Sequence, residues 1–129
     1  LGFMASRVAK KDGPGTRGGF VWDGGRIHLC DDVRISTVTR GEDDYHDKVS
    51  GVIRSSSSGR EWKFEGEVAS LIPLRNRRQD DSGTWLMTRI SEGMTKWTIT
   101  DGEHAGRTGF GMSEYLDQIV DGSPVGIAE

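Results

Sequence analysis

Three carboxylates stand where acid–base chemistry is conceivable: Glu114, Asp23 and Asp31. Glu114 is the most pointed of them. It lies in GRTGFGMSEYLDQIV, residues 106–120, which reads as a strand, and successive strand side chains point to opposite faces. Phe110, Met112, Glu114 and Leu116 then share one side, and Gly109, Gly111, Ser113 and Tyr115 the other. A carboxyl set in an apolar row is desolvated, which raises its pKa and lets it donate a proton near neutrality. Aromatic rows from Trp22, Trp62, Phe64, Trp85 and Trp97 would shape a cavity and stabilise a cationic intermediate, with Phe110 and Met112 beside the acid. Plainer readings stand next to these. The aromatics serve equally well as core, and Glu114 as one half of an ion pair with Arg89 or Arg107 that fixes strand register without catalysing anything. Gly109 and Gly111 let another element come close to the backbone, so the strand is expected to be covered on both sides and Glu114 to be buried.

Other chemistries find little footing. His28, His46 and His104 are far apart and lack the spacing of metal ligands, and no metal or cofactor is implied. His28 alternates with Ile27 and Leu29 and is expected to face solvent; His46 falls in an acidic loop. GRTGFG follows a turn and enters a strand, whereas a phosphate loop must open a helix. Cys30 neighbours Asp31 and Asp32, whose negative charge disfavours a reactive thiolate, and a lone cysteine forms no disulfide framework.

The elements that must position these residues are short, glycine-punctuated and rich in Val, Ile, Thr, Trp and Phe, the β pattern. Residues 19–22 and 26–30 flank the tight-turn signal Asp23-Gly24-Gly25. Further strands are predicted at 33–39, 48–54, 61–72, 84–90, 94–100 and in the stretch from 106, whose end EYLDQIV could tip into a helical turn. In 61–72, Trp62, Phe64, Val68 and Ile72 are expected on one face, and Gly66 on that row signals a bulge or close approach to something large. Gly41 to Asp47 and Asn76 to Gly83 are predicted loops, the basic cluster Arg75, Arg77 and Arg78 is read as solvated, and the tail from Asp121 is loosely held. Seven or eight strands at this spacing predict an all-β antiparallel meander, curled toward a barrel or half-barrel.

The totals agree with one such domain over residues 1–129. A net charge of −3 and a pI near 5.6 argue against non-specific nucleic-acid binding, and a mean hydropathy of −0.55 with no long apolar run argues against a membrane span. The single cysteine and the absence of a visible secretory signal favour the cytoplasm. The chain starts at Leu1 with a strand-like pattern soon after, which suggests the C-terminal part of a longer protein.

Three stretches, RGGFVWDGGRIHLCDDVRI, SGREWKFEGEVASLIPL and GRTGFGMSEYL, together resemble the C-terminal half of lipocalin-like proteins of the carotenoid hydratase and tocopherol cyclase type, and more closely their uncharacterised bacterial relatives. The resemblance spans about residues 17–120, and Gly109-Phe110-Gly111 followed by Glu114 fits a glycine–aromatic–glycine run of that group. It implies a calycin-like β structure enclosing an apolar small molecule, with some relatives protonating an alkene and hydrating or cyclising it. The expectation is a binding or structural half-barrel for a terpenoid, lipid or aromatic ligand, with Trp22, Trp62, Phe64, Trp85, Phe110 and Met112 as its ligand-binding residues. The alternatives are a hydratase, cyclase or isomerase with Glu114 as general acid, and an assembly module pairing through a sheet edge with a second copy or a missing N-terminal half.

Overall fold

The computed structural model describes residues 1–10, 12–41 and 45–125, and the fold is all-β and antiparallel. Nine strands are described: β1 Gly2–Val8, β2 Thr16–Asp23, β3 Arg26–Cys30, β4 Asp32–Arg40, β5 Tyr45–Arg54, β6 Glu61–Gln79, β7 Trp85–Ile99, β8 Thr108–Val120 and the short β9 Ser123–Val125. They run as a meander in two sheets, β1-β2-β3 and β4-β5-β6-β7-β8-β9, which do not close into a barrel. The chain crosses from the small sheet to the large one at Asp31, between β3 and β4.

The interior lies between the sheets. Val21 and Cys30 from the small sheet meet Val33, Val49, Ile53, Trp62, Phe64 and Ile99 from the large one, all buried. Phe3 on β1 stacks on Phe64 at 4.7 Å between centroids, and both meet Trp97 edge-on. The glycine signal in β6 has its cause here: a Cβ on Gly66 would stand 2.5 Å from the Trp97 ring, so only glycine lets the indole lie flat on the strand. No core residue lies beyond Phe64 on β6 or before Trp97 on β7, and past that level the buried side chains with polar groups are His46, Arg89, Ser91, Thr95 and Ser113.

Several boundaries differ from the sequence reading. Asn76–Gln79 continue β6 because they pair with Thr88–Trp85 of β7; the basic cluster is exposed, as expected, with Arg75 5.3 Å above the Tyr45 ring and Arg77 4.8 Å above that of Trp85. The two strands predicted around Ser91-Glu92-Gly93 are the single strand β7, whose residues 91–93 pair with both β6 and β8. EYLDQIV stays extended for the same reason, held by β7 and β9. The predicted loop Gly41 to Asp47 gives way to β5 from Tyr45 on, while its residues 42–44 and the last four of the tail lie outside the described residues. At Ala69 the β6–β7 register slips. One extra residue reverses the facing of everything after it, which moves Ile72 to the outer face, away from Trp62 and Phe64.

Candidate functional site

The two rows of β8 alternate as the sequence requires, but the glycine row turns inward and the bulky row outward. The space over β8 is already filled by Trp97, whose indole nitrogen would stand 3.2 Å from a Cβ on Gly111. Ser113 is therefore buried, whereas Phe110 is 71% and Met112 56% exposed, and Glu114 is exposed beside them. The expected burial of Glu114 is thus corrected: one side of β8 is open. Glu114 stands opposite Glu92 in register. The hydrogen bond between the two carboxyls, then desolvation, then their mutual repulsion push the Glu114 pKa up. Arg89 points to the other face, with Asp117 as its carboxylate partner: its Nε donates to Oδ1 at 2.8 Å and its terminal nitrogen to Oδ2.

Around the carboxyl pair the outer face is apolar. Three cross-strand rows build it, Ser70–Met94–Met112, Ile72–Glu92–Glu114 and Leu74–Ile90–Leu116, with Phe110 beside Lys96 at one end. Ile72 is 65% exposed, and Leu74, Met94 and Leu116 are also exposed. β6 contributes only because of the bulge; before it the same face carries Lys63, Glu65 and Glu67. Six side chains were expected to line a ligand cavity, and the fold does not gather them. Trp62 and Phe64 are core, and the space they enclose with Phe3, Val21 and Ile53 is too small for a water molecule. Trp22 is half-exposed on the outer face of the small sheet, Trp85 lies under Arg77, and Phe110 and Met112 are on the open face.

Asp23 and Asp31, the other acid candidates, are both held below the ordinary carboxylate range. For Asp23 the chief cause is the hydrogen bond from His104; for Asp31 it is the backbone N–H of Ser56. Neither is a neutral acid. Asp23 accepts Arg60 at 2.8 Å and His104 Nε2 at 3.1 Å, and Arg60 also bonds Glu103 at 2.7 Å. This cluster ties the β2–β3 turn to the β5–β6 and β7–β8 turns. Asp23, Glu103 and His104 present ligand atoms within 4.8 Å of one another, but Arg60 supplies the cation between the carboxylates. Cys30 is buried, and desolvation followed by the charge of Asp31 raises its thiol pKa, so it is not a ready nucleophile.

The sequence reading missed one cluster. His46 is not in a loop but on β5, 1% exposed, with Nε2 2.8 Å from Ser113 Oγ. Ser113 Oγ lies 2.6 Å from Thr95 Oγ1, which donates to the Gly93 carbonyl at 3.1 Å. A carbonyl only accepts, so the chain has one direction: Thr95 donates to Gly93, Ser113 to Thr95, and His46 Nε2–H to Ser113. The serine proton therefore points away from the imidazole, and the pair is not a base-activated nucleophile. His46 Nδ1 is left as a bare lone pair, buried and without a partner among the described residues. No spacing in the sequence signals this network, since Ser113 and His46 are 67 residues apart. His28 also departs from expectation: its ring packs 5.2 Å from Trp62 rather than facing solvent.

Burial, the leading cause, lowers the His46 pKa, against smaller opposing effects of Ser113 and Glu92. A depressed histidine contributes stability that is complete above the unfolded value of ~6.5 and is lost as pH falls below it, because the unfolded chain binds the proton more readily. Urea midpoints are expected to fall between about pH 7 and 5, and less so in His46→Gln, whose amide still donates to Ser113 but does not titrate. Equal pH dependence in the two proteins would remove His46 as the cause.

Residues 1–119 match the model of a family described as Domain of unknown function (DUF7064). No curated protein and no solved structure matches the chain. Among the described residues no helix is long and apolar enough to cross a membrane.

Proposed function

We propose that this chain, which belongs to the DUF7064 family, serves as a non-catalytic β domain that docks a protein partner on the outer face of its large sheet. One observation carries the reading: Ile72, Leu74, Met94, Phe110, Met112 and Leu116 form an exposed apolar surface around the Glu92–Glu114 pair. Contiguous apolar patches on soluble proteins mark interaction sites. The carboxyl pair specifies the occupant, an apolar surface with a lysine or arginine at its centre, through charge complementarity. A second copy packed face to face about this centre would bring four carboxyls together, and an anionic lipid surface would be repelled.

A hydratase or cyclase acting through Glu114 would need that acid inside an apolar cavity, and it stands on the open face. An apolar ligand held between the sheets would need room that Trp62, Phe64 and their neighbours already fill.

The test is calorimetric titration with a short amphipathic peptide of alternating Leu and Thr carrying one central Lys. Met112→Glu is expected to weaken binding by about tenfold or more, a loss of ~1.4 kcal/mol or greater. The double variant Glu92→Lys/Glu114→Lys should instead prefer the same peptide with a central Glu. Binding indifferent to both charges would sink the reading, as would a stable homodimer that Met112→Glu dissolves.

A further inference from the structure

A second binding feature lies on the small sheet, independent of the face just described. We propose that the free edge of β3 takes up an extended peptide segment, alternating apolar and acidic residues, as a fourth strand of that sheet.

The backbone supplies the first argument. The β2–β3 turn is Asp23-Gly24-Gly25-Arg26, with φ of 58° and 83° at the two glycines, a two-residue type I′ turn. In such a turn the flanking pair, Asp23 and Arg26, is the hydrogen-bonded one, and the pattern alternates from there. His28 and Cys30 thus direct their N–H and C=O groups toward β2, and Ile27 and Leu29 direct theirs toward the free edge. No backbone bond from Ile27 or Leu29 to another element is present among the described residues. Two outward residues offer two donors and two acceptors in strand geometry.

The second argument is shape and polarity. A groove of about 460 Å³ follows this edge, lined by Arg26, Ile27, His28, Leu29, Ser57 and Ser58. Ile27 is 66% and Leu29 73% exposed. They end the cross-strand rows Trp22–Ile27 and Phe20–Leu29 on the outer face of the sheet, so an added strand would extend both rows with an apolar residue at alternate positions. The positions between would face the other side, where Arg26 and the hydroxyls of Ser57 and Ser58 are donors suited to a carboxylate.

The third argument is contrast. The β4 edge of the large sheet carries Arg34 and Arg40, paired with Asp32 and Asp47, and a register slip after Val38. Charges and bulges are the devices that keep an edge from pairing. β3 keeps two exposed apolar side chains instead.

The experiment is amide NMR and hydrogen exchange of the full chain titrated with a capped hexapeptide of alternating Val and Glu. Slowed exchange at the Ile27 and Leu29 amides is expected. The Val–Glu peptide should bind Arg26→Glu about tenfold more weakly, and a Val–Lys peptide should bind that variant better than it binds the wild type. Leu29→Pro should abolish binding while leaving the β2 ladder intact, since its N–H faces outward. If that variant fails to fold, a backbone N-methylated Val–Glu peptide replaces it and should not bind the unaltered protein. Unchanged exchange at Ile27 and Leu29, equal binding of the Val–Lys peptide by the wild type, or shifts confined to Met112 and its neighbours on the large sheet would overturn the proposal.

Discussion

Asp117→Ala is expected to lower the unfolding free energy by about 3 kcal/mol. Arg89 is buried on the polar inner face, and Asp117 accepts both its Nε and a terminal nitrogen in a side-on pair. Removing the carboxylate takes two charge-assisted hydrogen bonds away from a guanidinium that was desolvated at folding. The loss reflects weaker compensation of a buried charge rather than the pair's own net worth, which is small once desolvation is counted. The two effects separate in a double replacement. Arg89→Met/Asp117→Leu removes both charges, and should recover most of what Asp117→Ala loses. Urea unfolding of the two variants measures this directly. A double variant as unstable as the single one would mean that the pair contributes net attraction or that another contact of Arg89 carries the stability.

Phe64→Ala is expected to cost about 3–5 kcal/mol. The ring is buried, stacks on Phe3 of the small sheet and meets Trp97 edge-on. It also lies against β5 so closely that a Cβ on Gly51 would stand 2.5 Å from its tip. Truncation leaves a cavity where the two sheets join, and the rigid strands around it cannot collapse to fill it. The loss should be uneven: amide exchange in β1–β3 should accelerate more than in β7–β8, because the small sheet has few other points of attachment, the core contacts of Val21 and the Asp23–His104–Arg60 cluster among them. Phe64→Leu, which keeps most of the volume, should lose much less. A cost below about 1 kcal/mol for Phe64→Ala would mean that the sheets are held chiefly by that polar cluster.

Local signals carried the architecture. Alternation in VRISTVT and EWKFEGEV, the Asp-Gly-Gly turn and the absence of any helical period are each set by neighbouring residues, and each reappears in the strands. Gly66 on an apolar row signals either a bulge or a close approach; the close approach is real and is that of Trp97, while the bulge sits at Ala69, and the sequence distinguishes neither. The charged run at the end of β6 was read as a loop because arginines are usually solvated. Here two of them cover the rings of Tyr45 and Trp85, partners 30 and 8 residues away along the chain. The site was less legible than the fold. Alternation says that two rows of β8 face opposite ways, but not which row is inside.

By itself, then, the sequence determined the class of fold, most strand positions, the tight β2–β3 turn and the inertness of Cys30, all consequences of residues adjacent in the chain. Only the tertiary structure decided the facing of β8, the switch of β6 at Ala69, the partner of Glu114 and the His46–Ser113–Thr95 chain. For β8 and Glu114 the physical reason is plain. A strand has two equivalent faces until something large occupies one of them, and here the Trp97 indole lies over the glycine row and leaves the bulky one to the outside. Glu114, set by alternation beside Phe110 and Met112, followed its row outward and met Glu92.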